Sequence, residues 1–247
     1  HVEKLTGFDV STLFGFYSLF STAGPCKLHL AMPDTVLVSN GQPVHWLFTS
    51  AQPGPTQGHI LRKVADHTTP ERIRKHFVRC ARADEANFEG FVATLLSEGE
   101  PHVIGEANFK RLMDGIEGEA NVGQRLVQRY VKPLGDVGYR TVVTKKGERM
   151  DHSTVCFRAS HRYRPIRRQE PIVYPTRQMS SLGGRGAEPR EAPSPPGRAE
   201  ADECCRSVVT LMTFMARAWQ LDLDELCCEF VKDSSHRLVL IGVAGFW

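Results

Sequence analysis

Residues 164–200 hold GGRG and PSPPG among arginines and glutamates, and this stretch constrains the fold more than any other feature. A segment so poor in apolar side chains buries too little surface to offset the entropy of ordering it. It is also longer than the roughly 12–15 residues that a compact domain tolerates as a structureless loop. It reads as an extended or disordered arm. Beyond it, Val208, Leu211, Met212, Met215 and Trp219 form an apolar stripe at helical spacing. The closing LDLDELCCEFVKDSSHRLVLIGVAGFW (221–247) then reads as two strands around a polar turn. One helix and a hairpin are too few to fold alone. Residues 201–247 are therefore expected to complete the same domain as residues 1–163. The expected class is α+β: a mostly antiparallel sheet packed with a few amphipathic helices and interrupted by the Pro/Gly/Arg-rich arm.

Upstream, GFDVSTLFGFYSLF shows helical spacing at Phe16, Leu19 and Phe20, weakened by Gly7 and Gly15. KLHLA, TVLV and VHWLFTS read as strands, with Asn40-Gly41 as a hairpin turn between the last two. Pro43 confines the second of that pair to an edge or a late start. Thr69-Pro70-Glu71 opens a helix, as capping threonine, first-turn proline and acid at the positive end of the dipole. Its apolar stripe runs through Ile73, Phe77 and Cys80 or Ala81, so Cys80 reads as a buried structural cysteine. Residues 84–96 fit helix and strand alike, and a short helix is expected around Ala107–Met113. From Arg125, RLVQRYV, YRTVVT and STVCFRAS read as strands, with a turn at Lys145–Glu148.

Composition excludes some functions. The chain has 31 Lys+Arg against 28 Asp+Glu, a balance that does not demand wholesale nucleic-acid binding. No apolar run approaches the roughly 20 residues needed to span a bilayer. Seven cysteines with two vicinal pairs suit reduced thiols better than a disulfide framework, which points to a reducing, cytoplasmic setting. His1 is not an initiator, so the numbering is read as beginning inside a longer chain. There is no nucleophile elbow, no C-x-x-C and no zinc-ligand spacing, so neither metal nor cofactor is expected.

Two local features remain. Glu229 lies between Cys228 and Phe230 in an otherwise apolar strand. Period-two alternation mixes polar and apolar residues on both faces of 225–232, which reads as an edge or half-exposed strand, with Leu238–Ile241 as the more central one. The second feature is RASHRYRPIRR (158–168). Arg158, Arg162, Tyr163, Arg164, Arg167 and Arg168 stand where a strand meets the arm, and arginines around an aromatic grip phosphates or an acidic protein surface. The bland alternative is a solvated loop whose arginines pair with scattered acids. No RNP, KH or zinc-finger pattern accompanies the patch, which argues against nucleic acid as the partner.

LVQRYVKPLGDVGYRTVVTKKG resembles the ATP-grasp segment of tubulin-tyrosine-ligase-like enzymes. Gln128, Arg129, Tyr130 and Val131 match that family's Q-K-Y-I strand, and Arg140 falls at the arginine of its D-I-R strand. The closing hairpin resembles the family's final strand pair, whose acid and E-x-N hold magnesium at the nucleotide phosphates. The resemblance implies Glu229 as the first acid and puts Gly242 and Ala244 at the E-x-N positions, where neither side chain binds a cation. The apolar helix followed by the hairpin is also similar in general form to protist flagellar and cytoskeletal proteins.

Taken together, these readings lead to an expected non-catalytic scaffold component of a large intracellular assembly. Its basic arm would contact an acidic protein partner such as tubulin or axonemal proteins, with no membrane and a microtubule, cilium or flagellum as its place. The alternatives are an ATP-grasp ligase that modifies tubulin and a subunit of a ribonucleoprotein.

Overall fold

The computed structural model describes residues 9–21, 26–96, 101–115, 123–166 and 195–247. Residues 167–194, most of the arm, lie outside them, as do Arg167 and Arg168. Eleven strands among the described residues form two sheets, one of seven strands ordered β3-β2-β1-β6-β4-β5-β9 and one of four ordered β11-β10-β7-β8. All named pairings are antiparallel except β5 with β9. With its few helices, this is the α+β architecture expected from the sequence. No helix among the described residues is long and apolar enough to cross a membrane.

The larger sheet starts with the hairpin of β1 (Thr35–Ser39) and β2 (Gln42–Thr49). Asn40 and Gly41 both take positive φ, 50° and 75°, the conformation that a two-residue turn needs to match strand twist. Pro43 is tolerated because β3 (Ile60–Arg62) pairs only with Leu47–Thr49, so β2 is an edge where the proline sits. β6 (Gln124–Arg129) lies on the other side of β1, followed by β4 (Phe91–Leu96), β5 (His102–Gly105) and the short β9 (Arg164–Pro165). KLHLA differs from expectation: only His29 makes a bridge, to His59. In 84–96 the strand wins. The Asn87 side chain donates to the Phe91 carbonyl (2.7 Å) and accepts from its amide (3.2 Å), closing a turn that launches β4.

Helix α1 (Leu13–Ser18) is wholly buried. Helix α2 (Pro70–Ala83) starts as its sequence dictates: the Thr69 hydroxyl accepts from the Arg72 amide, with Pro70 in the first turn. With α3 (Glu106–Met113) it covers one face of the larger sheet, where Phe77 and Phe109 stack at 5.2 Å over Val36, Val38 and Val127. On the other face, Leu37, Leu47 and Leu126 join the main core, which also holds α1, the long helix at Arg198–Trp219 and the inner face of the smaller sheet.

The smaller sheet is built from β7 (Val137–Lys146), β8 (Arg149–Arg158), β10 (Glu225–Lys232) and β11 (Leu238–Phe246). Helix α5 runs Arg198–Trp219, so it begins inside the stretch read as arm. It ends at Gln220 in the left-handed conformation, φ 55°. Val208, Leu211, Met212 and Met215 are buried, and Trp219 donates its indole N–H to the Leu19 carbonyl at 3.0 Å. Strand order corrects the hairpin reading. β10 is central, between β11 and β7, and β11 is the edge. Alternation describes the faces of a strand but not its neighbours, and β7 comes from far upstream in the chain.

A glycine fixes the approach to the outer face of this sheet. Gly138 on β7 pairs with Phe157 on β8, and a Cβ at Gly138 would meet the phenyl ring at 2.3–2.9 Å. The ring lies flat over the glycine, where it packs with Val131, Ala159, Val231 and Ile241. Gly138→Val should push Phe157 out and cost about 1–3 kcal/mol, read as a lower urea midpoint. An unchanged midpoint would mean that this ring does not hold the turn that follows β8.

Candidate functional site

The outer face of the smaller sheet carries one row of residues set directly opposite each other across all four strands. Arg140 pairs with Val155 on β8 and with Glu229 on β10, and Glu229 pairs with Gly242 on β11. Directly opposed residues share a face. Val155 is exposed, whereas Glu229 is 3% exposed. A carboxylate that far from water needs compensating charge and hydrogen bonds.

Two arginines supply both. Arg140 donates from Nε (3.0 Å) and Nη2 (2.6 Å) to Glu229 Oε1. Arg162 donates from Nε to both carboxylate oxygens, 3.1 Å each. Arg162 comes from the single turn α4 (Ala159–Arg162) that follows β8. Ala159 anchors the turn in the Phe157 cluster, and the Asp136 carboxylate accepts from the Ser160 amide and hydroxyl, 2.6 Å each. The turn's position therefore sets where the Arg162 guanidinium lies.

One carboxylate and two guanidiniums leave a net positive charge. Arg140 Nη1 and both Nη atoms of Arg162 have no acceptor among the described residues. Their side chains keep 36% and 22% of their exposure. Burial works against the Arg140 charge, but the Glu229 carboxylate outweighs it and holds the guanidinium more firmly protonated than usual. At the rim, the Tyr163 ring sits edge-on to Tyr130 at 6.0 Å. Burial, then the charge of Glu229, push the Tyr163 hydroxyl well above its ordinary pKa, so it stays a neutral donor.

The structure thus brings Arg162 and Tyr163 to Glu229 and Arg140. Arg158 ends β8 with its side chain exposed, and Arg164 lies on β9. Glu229 itself corrects the solvent-facing reading of that position. The matched Q-R-Y-V residues serve structure. Gln128 is buried and donates to the Thr35 hydroxyl at 3.1 Å, Arg129 pairs with Asp34, and Val131 packs in the Phe157 cluster.

The magnesium implied by the family resemblance does not fit these residues. Gly242 and Ala244 offer no side-chain oxygen, and both oxygens of Glu229 are occupied by guanidinium. No group of three or more His, Cys, Asp or Glu able to hold a metal occurs among the described residues. A separate groove of about 480 Å³, lined among others by His29, Arg206, Thr210 and Arg237, contains none of the Glu229 cluster.

No protein-family profile and no curated protein matches this chain. Solved structures do. D-alanyl-alanine synthetase A from Vibrio cholerae is similar at 10% identity and TM-score 0.41, over 87% of this chain and 50% of that one. D-Alanine-D-alanine ligase from Helicobacter pylori is similar at 11% identity and TM-score 0.43, over 95% and 54%. N5-carboxyaminoimidazole synthase from Aspergillus clavatus, in complex with ADP and 5-aminoimidazole ribonucleotide, is similar at 9% identity and TM-score 0.41, over 87% and 40%. The chain spans about half the length of these proteins or less. None of the three is named as a cytoskeletal or flagellar protein. The expected non-catalytic microtubule scaffold is not what these comparisons return: the proteins they name are a synthetase, a synthase and a ligase.

Proposed function

We propose that this chain carries the ATP-grasp-type core of a ligase, and that Arg140 and Arg162 hold the phosphate oxygens of its nucleotide. One observation carries the reading. Two guanidiniums converge on a buried carboxylate on a central strand and keep N–H donors without an acceptor among the described residues, on side chains that are partly exposed. Glu229 fixes the two planes, and a preorganised guanidinium fork suits phosphate better than a mobile ammonium does. The chain's own residues supply charge and orientation here. Magnesium has no ligand set in this cluster, so no step is assigned to it.

Calorimetric titration with ATP and ADP, with and without added magnesium, tests the reading. Binding is expected without magnesium and should weaken as salt rises. Arg162→Ala removes hydrogen bonds to a charged group that contribute about 1.5–3 kcal/mol, a loss of about tenfold to a hundredfold in affinity. Arg140 still pairs with Glu229 in that variant, so its circular dichroism should be unchanged. Absence of ATP binding at millimolar concentration, or binding that Arg162→Ala leaves intact, contradicts the reading.

A further inference from the structure

A second cluster of titratable groups lies against the larger sheet, away from the arginine pair. Asp34, just ahead of β1, accepts from the Trp46 indole N–H at 3.0 Å, and its Oδ2 lies 3.4 Å from Arg129 Nε. The same Oδ2 is 3.3 Å from His76 Nε2 on α2. One helical turn further, Cys80 Sγ is 3.7 Å from that same Nε2. One imidazole nitrogen therefore faces a largely covered carboxylate and a thiol together. The Trp46 ring packs edge-on to the imidazole at 5.2 Å and fixes its plane.

Cys80 was read from sequence as a buried structural residue, and the structure differs. The buried side chains of α2 are Ile73 and Phe77, and Cys80 stays partly exposed at the margin of their stripe. Cys156, Cys204, Cys227 and Cys228 are buried, and burial raises all four thiols, Cys204 and Cys227 to about 12. Burial also raises the partly exposed Cys205. At Cys80 the hydrogen bond from His76 outweighs burial and lowers the thiol. Arg129 adds to that effect, while Asp34 opposes it. The hydrogen bond to Asp34 comes first in raising His76 to about 9, so the ring is cationic at neutral pH. Arg79, whose Nη2 lies 3.3 Å from Nδ1, is the cation that faces the ring from its other side.

We propose that Cys80 is a thiol-modification site that exchanges with low-molecular-weight disulfides, with His76, held by Asp34, as the positioning cation beside its sulfur. The thiolate is the attacking species in such exchange. Cys80 Sγ attacks one sulfur of the disulfide, a new S–S bond forms as the old one breaks, and the departing thiolate takes a proton from water. One disulfide is consumed and one mixed disulfide is formed, with no external oxidant. Arg79, at the His76 ring, favours disulfides bearing carboxylates.

The test is the reaction of the folded chain with 5,5′-dithiobis(2-nitrobenzoate), a dianionic disulfide, from pH 5 to 10, with labelled cysteines located by peptide mass mapping. Cys80 should react first, with a rate profile centred below the roughly 8.5 of an ordinary thiol. His76→Gln should move that midpoint up and slow the reaction at pH 7 by about tenfold, one pKa unit. Cys80→Ser should remove the fast phase with circular dichroism unchanged. Thermal melting supplies a readout without the probe. A histidine raised on folding stabilises fully below its unfolded pKa of 6.5, and that contribution is lost as pH rises through about 9. The wild type should therefore lose more melting temperature between pH 6.5 and 9.5 than His76→Gln does. If Cys26 or Cys205 reacts as fast as Cys80, or His76→Gln leaves the rate profile in place, the proposal fails.

Discussion

Arg140→Leu with Arg162→Leu will cost the folded state about 3–5 kcal/mol, because it leaves Glu229 buried with no compensating charge. The single Arg162→Leu should cost less than half of that, since Arg140 still holds Oε1 through two N–H groups. Adding Glu229→Leu to the double variant should restore most of the loss, because the row then becomes a continuous apolar strip beside Val155. Urea denaturation of the wild type, the double variant, Glu229→Leu alone and the triple variant gives the coupling directly. Strict additivity would mean that the three side chains are not one unit in solution. That outcome would also undercut the reading of Glu229 as the residue that orients both guanidiniums.

The second large effect is on α5. Met215 is fully buried where the helix packs on the smaller sheet and α1. Trimming such a methionine to alanine costs about 2–5 kcal/mol, and aspartate adds the burial of a carboxylate with no partner. Against a total stability of about 5–15 kcal/mol, Met215→Asp should leave the chain largely unfolded at 37 °C. Met215→Leu, nearly equal in volume, should cost under about 1.5 kcal/mol. Tryptophan fluorescence checks both, since Trp219 is one turn further along the same helix and bonded to Leu19. A cooperative native-like melt for Met215→Asp would mean that α5 does not seal the core.

The parts of the fold that were legible in the sequence rest on local chemistry. Asn40-Gly41 demands positive φ, Thr69-Pro70-Glu71 is a complete helix start, and the α5 stripe repeats every turn. What failed depends on partners remote in sequence. Glu229 meets Arg140 across 89 positions and Arg162 across 67. Alternation in 225–232 shows a carboxylate on one face but not which strand lies beside it. Arg162 was singled out with its arginine neighbours as a group facing a partner, and only the fold separates it from them by turning it back onto β10. His76 was not singled out in the sequence, although it stands one turn before Cys80, because Asp34, which charges the imidazole, comes from the opposite wall. The magnesium positions show the reverse: Gly242 and Ala244 were readable as non-ligands from residue type alone.

If nucleotide phosphate meets the chain at Arg140 and Arg162, as proposed, their own N–H groups must report it. The most direct measurement is the nitrogen-15 NMR spectrum of the arginine Nε–H groups during titration with ATP, with signals assigned through single Arg→Lys variants. The Arg140 and Arg162 signals should shift together and saturate at one dissociation constant. Shifts confined to Arg206 and Arg237, which line the separate groove, or no saturable shift at Arg140 and Arg162, would contradict it.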